Sequence, residues 1–134
     1  MTERRILLVC THGYFGKELV KSAEMIIGHM DDIRSFSLLP EMSIEDFKNL
    51  VEPTLKELPR DTICLVDLFG GTPSNTMAML SREYHNRVIS GVNLAMLIEM
   101  YSQKDYLSTD ELIECGLKTL SNSGKDVLKV IATR

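Results

Sequence analysis

"RILLVCTHGYFG", residues 5–16, decides the fold, because an apolar run stops at a His-Gly pair and a helical pattern follows at once. Residues 5–10 hold a short continuous apolar run, which is typical of a strand covered on both faces. From Phe15 onward, apolar residues repeat at helical spacing until Gly28. The stretch therefore predicts one strand followed by one helix.

The same pairing of strand and helix recurs along the chain. Three further segments read as strands: "IRSFSLL" (33–39), "TICLVDLF" (62–69) and "RVISGV" (87–92). Helical patterns follow each of them. Such alternation predicts a single α/β domain over residues 1–134, with a mostly parallel four-stranded sheet, right-handed crossovers and helices on both faces. The segment "DVLKVIAT" (126–133) fits either a last strand or a short helix.

Start signals precede three of the helical patterns. They are Ser43 with Asp46, Thr72 with Pro73, and Ser108 with Glu111. The first and third are Ser-x-x-acid starts, and the second places Thr as the cap and Pro at the first helical position. We expect the first of these helices to reach about Leu58 with a kink near Pro53, and the third to reach about Leu120.

Composition excludes several classes of function. The net charge is −4 and the basic residues are scattered, so nucleic acid is not an expected partner. No apolar run is long enough to cross a bilayer or to act as a signal peptide, which favours a cytoplasmic protein. The three cysteines lie far apart, so neither a disulfide framework nor a zinc site is expected, and we expect no metal or other cofactor. Cys10 and Cys64 fit buried, reduced thiols.

Two chemically active side chains fall at strand ends. His12 follows the first predicted strand and Asp67 lies near the end of the third. Ligands of open parallel sheets bind outside the carboxyl ends of the strands. If the first and third strands are neighbours, His12 and Asp67 meet at that edge.

An imidazole paired with a carboxylate can act as a nucleophile. The carboxylate holds Nδ1, leaves the Nε2 lone pair free, and stabilises the positive charge that develops on attack. The product would be a phosphohistidine, with Gly13, Gly70, Gly71, Thr72 and Pro73 around the phosphoryl group and no metal needed. The plainer interpretation is an ordinary strand-to-helix turn with a Thr cap and a loop histidine that only caps a turn.

Other candidate residues fit structural roles more simply. His29 and His85 each follow a helical pattern and are expected on the surface near helix C-termini. The eight methionines are mainly core filler, although Met96 and Met100 are also candidates for a partner surface.

"THGYFGKELVKSAEMIIG", "LVDLFGGTPSN" and "VISGVNLAML" together resemble the IIA component of the mannose-family phosphoenolpyruvate:sugar phosphotransferase system. The resemblance covers nearly the whole chain in the same order. It implies a phosphocarrier, a phosphotransferase component whose histidine takes a phosphoryl group at Nε2 from the carrier HPr and passes it to a IIB component. Membrane IIC and IID components then take part only indirectly.

By this resemblance, His12 is the phosphorylated residue, Asp67 orients it, and the Gly-Gly-Thr-Pro turn that begins at Gly70 lines the site. It also implies a homodimer in which a C-terminal antiparallel strand, "DVLKVIAT", is exchanged between subunits. Thr72 replaces a Ser found in many relatives, and Phe69 replaces a Trp. We expect Phe69, Asn75 and Met96 to contact partner proteins. Some relatives continue into a fused IIB domain; this sequence ends at Arg134, so a separate IIB polypeptide is expected.

Three other classes of function remain open at this point. One is the related carrier of phosphoenolpyruvate-dependent dihydroxyacetone kinase, which also phosphorylates a histidine after its first strand. Another is a signalling receiver phosphorylated on Asp67, although "VCTHG" lacks the acidic pair that would hold a metal ion. The third is a non-catalytic anion sensor, for which His12 is dispensable.

Overall fold

The computed structural model describes residues 4–132. It contains four strands: β1 (Leu7–His12), β2 (Ile33–Leu38), β3 (Ile63–Val66) and β4 (Arg87–Ile89). Its helices are α1 (Phe15–Ile27), α2 (Ile44–Glu57), α3 (Thr72–Tyr84), α4 (Leu94–Gln103), α5 (Thr109–Ser123) and α6 (Val127–Ala132). Strand and helix alternate up to α4, as the sequence pattern predicts.

The four strands form one parallel sheet in the order β2-β1-β3-β4. β1 pairs with β2 along its whole length, from Leu7 opposite Ile33 to His12 opposite Leu38. On its other side β1 pairs with β3, with Cys10 opposite Val66. The prediction of a four-stranded α/β domain is confirmed, and β1 and β3 are neighbours.

Helices cover both faces of the sheet, because successive strand side chains point to opposite faces. In β1, Leu7 and Val9 face the core built with α1, α4 and α5, and Leu8 and Cys10 face the core built with α2 and α3. All four side chains are fully buried. The near-continuous apolar run of β1 is thus explained by two covered faces.

The predicted starts of α2 and α5 are confirmed, and each has a complete capping box, from Ser43 with Asp46 and from Ser108 with Glu111. Pro53 lies inside α2, as expected. The prediction that Thr72 caps α3 is wrong. Gly71 is the cap and Thr72 is the first helical residue, since the tight Gly-Gly turn brings the chain into helical conformation one residue earlier.

In this single chain the C-terminal segment forms helix α6 and not an antiparallel strand. No residue of α6 is buried, and its backbone bonds run within the helix instead of to a sheet edge. Thr133, the last residue of that expectation, lies outside the described residues. Strand exchange between subunits stays a prediction.

No helix within residues 4–132 is both long and apolar enough to cross a membrane.

Candidate functional site

His12 and Asp67 lie together at the carboxyl edge of the sheet. His12 ends β1, and Asp67 directly follows β3, the neighbouring strand. The Nδ1 of His12 is 3.0 Å from Oδ2 of Asp67. The same oxygen also accepts the backbone N–H of His12, again at 3.0 Å. Asp67 therefore holds both the ring and the backbone of His12.

This double contact determines which ring nitrogen is free. A carboxylate oxygen accepts hydrogen bonds, so the proton of the neutral ring belongs on Nδ1 of His12 and the Nε2 lone pair is left unprotonated. The side chain of His12 is 46% exposed, whereas that of Asp67 is 16% exposed. The imidazole is thus open to solvent while its carboxylate partner is largely covered.

One oxygen of Asp67 lacks a partner. Its Oδ1 is buried and forms no hydrogen bond within residues 4–132. A buried, under-used carboxylate oxygen is costly, because the charge has lost water without a full replacement. This carboxylate is placed to stabilise a positive charge on the His12 ring, so the arrangement is suited to attack by Nε2 on an electrophile.

The Gly-Gly turn after β3 packs against the imidazole. A Cβ added to Gly71 would come within 2.7 Å of Cε1 of His12, so a side chain at this position would force the ring to shift. Gly70 has a φ of 84°, in the left-handed region that favours glycine. The side chain of Asn75 donates to the carbonyl of Gly70 at 3.1 Å and braces the turn.

The first turn of α3 begins beside the ring without a side-chain cap. Uncapped N–H groups and the positive end of the helix dipole favour an anion at this position. Thr72, at the first helical position, adds a hydroxyl. Pro73, at the second, has no N–H group, which costs no hydrogen bond because N–H groups in the first turn have no partner inside the helix. Gly13, on the other side of His12, has a φ of 54° and donates to the carbonyl of Leu38 at 2.8 Å.

Of the three residues expected to contact partner proteins, two are exposed and one is buried. Phe69 is 84% exposed and its neighbour Leu68 is 60% exposed, both on the loop that carries Asp67. Asn75 is also exposed. The prediction for Met96 is wrong: Met96 is fully buried, as is Met100, because α4 turns this face toward the core shared with α1 and α5.

The other nucleophilic or titratable candidates are unsuited to this chemistry. Burial raises the pKa of the Cys10 thiol well above its usual value and that of Cys64 to about 12, so both stay protonated. His29 and His85 are exposed, and His29 contacts Glu24 and Asp31. Within residues 4–132, no three His, Cys, Asp or Glu side chains are grouped as metal ligands.

Solved structures with this fold define its class. The chain superposes on the mannose/sorbose-specific IIA subunit of the phosphotransferase system from Enterococcus faecalis with a TM-score of 0.83 and 30% identity, covering 92% of this chain and 94% of that one. The EIIA component from Streptococcus agalactiae gives a TM-score of 0.86 and 26% identity over 92% and 98% of the two chains. The class is therefore the IIA components of the phosphotransferase system.

The chain belongs to the EIIA-man family, described as "PTS system fructose IIA component", whose model matches residues 6–115. It is 28% identical to the mannose-specific EIIAB component of Escherichia coli, over 96% of this chain and 40% of that protein. The chain thus spans about two fifths of the length of that relative. It is also 28% identical to the fructose-specific EIIA component of Bacillus subtilis, over 90% of this chain and 84% of that protein.

Sequence reasoning missed three supports of the site. They are the hydroxyl of Thr11, the brace from Asn75 to the Gly-Gly turn, and the second contact of Asp67, to the backbone of His12. A threonine before the helix start was visible in the sequence, but its partner was not. The other two contacts depend on how the two loops pack.

Proposed function

We propose that this protein is a cytoplasmic phosphocarrier in which His12 accepts a phosphoryl group from phosphorylated HPr and donates it to a IIB component. The observation that carries the proposal is the pairing of His12 Nδ1 with Asp67 Oδ2 at 3.0 Å, which leaves Nε2 free at an exposed edge. Membership of the EIIA-man family supports the same chemistry.

In the forward step, the Nε2 lone pair of His12 forms a bond to phosphorus while the bond from phosphorus to the donor imidazole breaks. The bonding electron pair returns to the donor nitrogen. No proton has to move, because the Nδ1 proton stays hydrogen-bonded to Asp67, whose charge stabilises the ring as it becomes positive. Transfer to IIB is the same step in reverse, with His12 as the leaving group.

The phosphoryl oxygens face the start of α3. Its uncapped first turn and the hydroxyl of Thr72 supply hydrogen-bond donors for a group of negative charge. Gly71 allows the backbone to pass close to the ring, and Gly13 and Gly70 adopt the positive φ angles that glycine favours in the two turns beside it. Pro73 presets the helical backbone at this point.

Phe69 and Leu68 form an apolar rim on the loop that carries Asp67. Both partners must bring a histidine to His12, so both must cover this rim. Exposed aromatic side chains of this kind are typical anchors of protein interfaces. IIC and IID, which hold the sugar in the membrane, do not need to touch His12.

We also propose that the protein is a homodimer in which each C-terminal segment is covered by the other subunit. Four apolar side chains of α6 are 42–78% exposed: Val127, Leu128, Val130 and Ile131. No residue of this helix is buried. Sedimentation analysis should give a dimer for the full chain and a monomer for the Leu128→Asp, Ile131→Asp double variant; a monomeric full chain contradicts the dimer.

The carrier function is tested by intact-mass spectrometry after incubation with phosphoenolpyruvate, Enzyme I and HPr. We expect a gain of one phosphoryl group that brief acid removes and alkali spares. His12→Ala should abolish the gain, while His85→Ala, a change to an exposed histidine distant from the site, should retain it. An alkali-labile adduct that is lost in Asp67→Asn would instead indicate an aspartyl phosphate, and no adduct with active HPr would overturn the carrier proposal.

A further inference from the structure

The hydroxyl of Thr11 joins the end of β1 to the start of α1. Thr11 is fully buried and directly precedes His12. Its Oγ1 accepts the backbone N–H of Gly16 at 2.7 Å and donates to the carbonyl of Gly13 at 3.5 Å. These two bonds span the turn that carries the nucleophile.

Helix α1 lacks the usual cap. Its N-cap residue is Tyr14, which offers no side-chain hydrogen bond to the first turn. Because the first N–H groups of a helix have no partner inside it, they need one elsewhere. Thr11 satisfies the N–H of Gly16, the second helical residue, from three positions before the cap. It therefore acts as an internal cap.

The contact is tightly packed as well as hydrogen-bonded. A Cβ added to Gly16 would lie 3.0 Å from both Cγ2 and Oγ1 of Thr11 and 2.8 Å from Cγ1 of Val9. The backbone of α1 thus packs directly against the C-terminal half of β1. On the other side, the N–H of Gly13 is held by Leu38 of β2. The turn is therefore held from both sides, by the hydroxyl of Thr11 and by the carbonyl of Leu38.

We propose that Thr11 is a positioning residue for phosphoryl transfer, and that its hydroxyl sets the backbone path from which His12 presents Nε2 to the partner protein. The inference rests on the proposed function and adds a residue to it. Asp67 holds the ring from the side of β3, and Thr11 holds the turn from the side of α1. Small displacements of a reacting atom have large effects on rate. Asp67 and Thr11 therefore both act on the rate through the position of Nε2 of His12.

The test compares Thr11→Val, which keeps the shape and removes the hydroxyl, with Thr11→Ser, which keeps the hydroxyl. Thr62→Val is the matched control: Thr62 is 3% exposed and its hydroxyl donates to the carbonyl of Pro59 at 2.7 Å, at the opposite end of the sheet. We expect Thr11→Val to slow transfer from phosphorylated HPr about 10-fold at saturation with KM unchanged. Thr11→Ser and Thr62→Val should stay within about 3-fold of the wild type.

A second readout needs no phosphoryl donor. The ¹⁵N chemical shifts of the His12 ring should report a single tautomer with the proton on Nδ1 in the wild type and in Thr11→Ser, and a mixture in Thr11→Val. If Thr11→Val does not fold, the pair Thr11→Ser and Thr11→Ala isolates the hydroxyl in the same two assays.

The possible failures are distinguishable. A wild-type protein that takes no phosphoryl group defeats the proposed function, and the ring spectra then decide on Thr11 alone. A wild type that is phosphorylated, with Thr11→Val matching Thr62→Val in rate and the wild type in ring spectrum, overturns the positioning role and leaves the carrier intact. Equal slowing by Thr11→Val and Thr62→Val also overturns it, since loss of stability would then explain both.

Discussion

The two ends of the sheet differ in how their charged groups are paired. At the amino end, the side chain of Lys104 is 3% exposed and donates to both Asp32 and Asp105 at 2.9 Å. At the carboxyl end, the side chain of His12 is 46% exposed, and one buried oxygen of Asp67 has no partner among the described residues. Both ends pair a basic group with carboxylates. At the amino end the charged groups are used in hydrogen bonds that stabilise the fold, whereas at the carboxyl end one carboxylate oxygen forms no such bond within residues 4–132. The difference separates a charge cluster whose hydrogen bonds stabilise the fold from the candidate functional site.

The amino-end cluster ties the strand starts to the connection between α4 and α5. The guanidinium of Arg5 donates to the carbonyl of Lys104 at 3.0 Å and to Thr109 at 2.9 Å, and its backbone N–H donates to Asp105 at 2.8 Å. Burial lowers the pKa of Lys104, but hydrogen bonds and charges of Asp32 and Asp105 outweigh it and leave the pKa above its ordinary value. Lys104 therefore stays charged.

The largest expected effect comes from Lys104→Met, which removes the cation between Asp32 and Asp105. We expect the free energy of unfolding to fall by about 3 kcal/mol, because loss of one partner of a buried ion pair leaves the carboxylates compensated only by the bonds from Arg4 and Arg5. Urea denaturation measures the change. Lys118→Met, at an exposed position of α5, should cost less than about 0.5 kcal/mol. A loss for Lys104→Met equal to that of the control would remove the contrast between the two ends.

Next in size is Asp67→Asn, which removes a charge at the other end. Phosphoryl transfer should slow about 100-fold, equivalent to about 2.7 kcal/mol, because the ring loses the charge that stabilises it during attack. The free energy of unfolding should stay within about 1 kcal/mol of the wild type, since the amide oxygen of asparagine can still accept the two hydrogen bonds from His12. Rapid-quench kinetics with phosphorylated HPr measure the rate; an unchanged rate would refute the orienting role of Asp67.

A smaller effect is expected from Gly71→Ala. The added Cβ would lie 2.7 Å from Cε1 of His12, so the ring must shift and transfer should slow about 10-fold. Gly124→Ala serves as the control, because a Cβ at that position has no atom within 4 Å. Transfer by Gly71→Ala at the rate of this control would show that the close approach of Gly71 does not set the position of the ring.

The smallest effect concerns acid stability. Hydrogen bonds from Arg4 and Lys104 lower the pKa of Asp32 below 3.8, and burial of Asp105, which raises its pKa, is outweighed by hydrogen bonds from Arg5 and Lys104. A carboxyl group with a lowered pKa contributes stability above its ordinary pKa and loses it as the pH falls through the lower, folded value. We expect about 1 kcal/mol to be lost below pH 4 in the wild type. Urea denaturation midpoints between pH 5 and pH 2 measure this loss of stability. If the midpoint of Lys104→Met depends on pH in the same way as that of the wild type, the ion pairs of Lys104 are not the origin of the loss.

The sequence was sufficient to predict those elements whose signals are local. The alternation of apolar runs and helical spacing predicted the sheet, and Ser43 and Ser108 marked two helix starts correctly, because each cap bonds within its own first turn. The edge at which His12 and Asp67 meet was predictable from a rule about parallel sheets. Their roles in phosphoryl transfer stay predictions.

What the sequence did not reveal depends either on packing between distant segments or on a backbone conformation that no local pattern specifies. The burial of Met96 depends on which face of α4 meets α1 and α5, and the burial of Lys104 depends on Asp32, 72 residues away. Thr72 carried a valid cap signal, but the conformation of Gly71 displaced it by one position. The segment that forms α6 has apolar residues suited to strand or helix, and no local signal decides between them.

The strand order has a consequence for the growing polypeptide. β1 lies in the middle of the sheet, and one of its edges pairs with β3, which ends at Val66. During synthesis, the apolar run of the first strand therefore emerges from the ribosome long before the segment that completes its coverage. About half of the chain is made with this run uncovered, and in that interval it is open to chaperones or to pairing with another nascent chain.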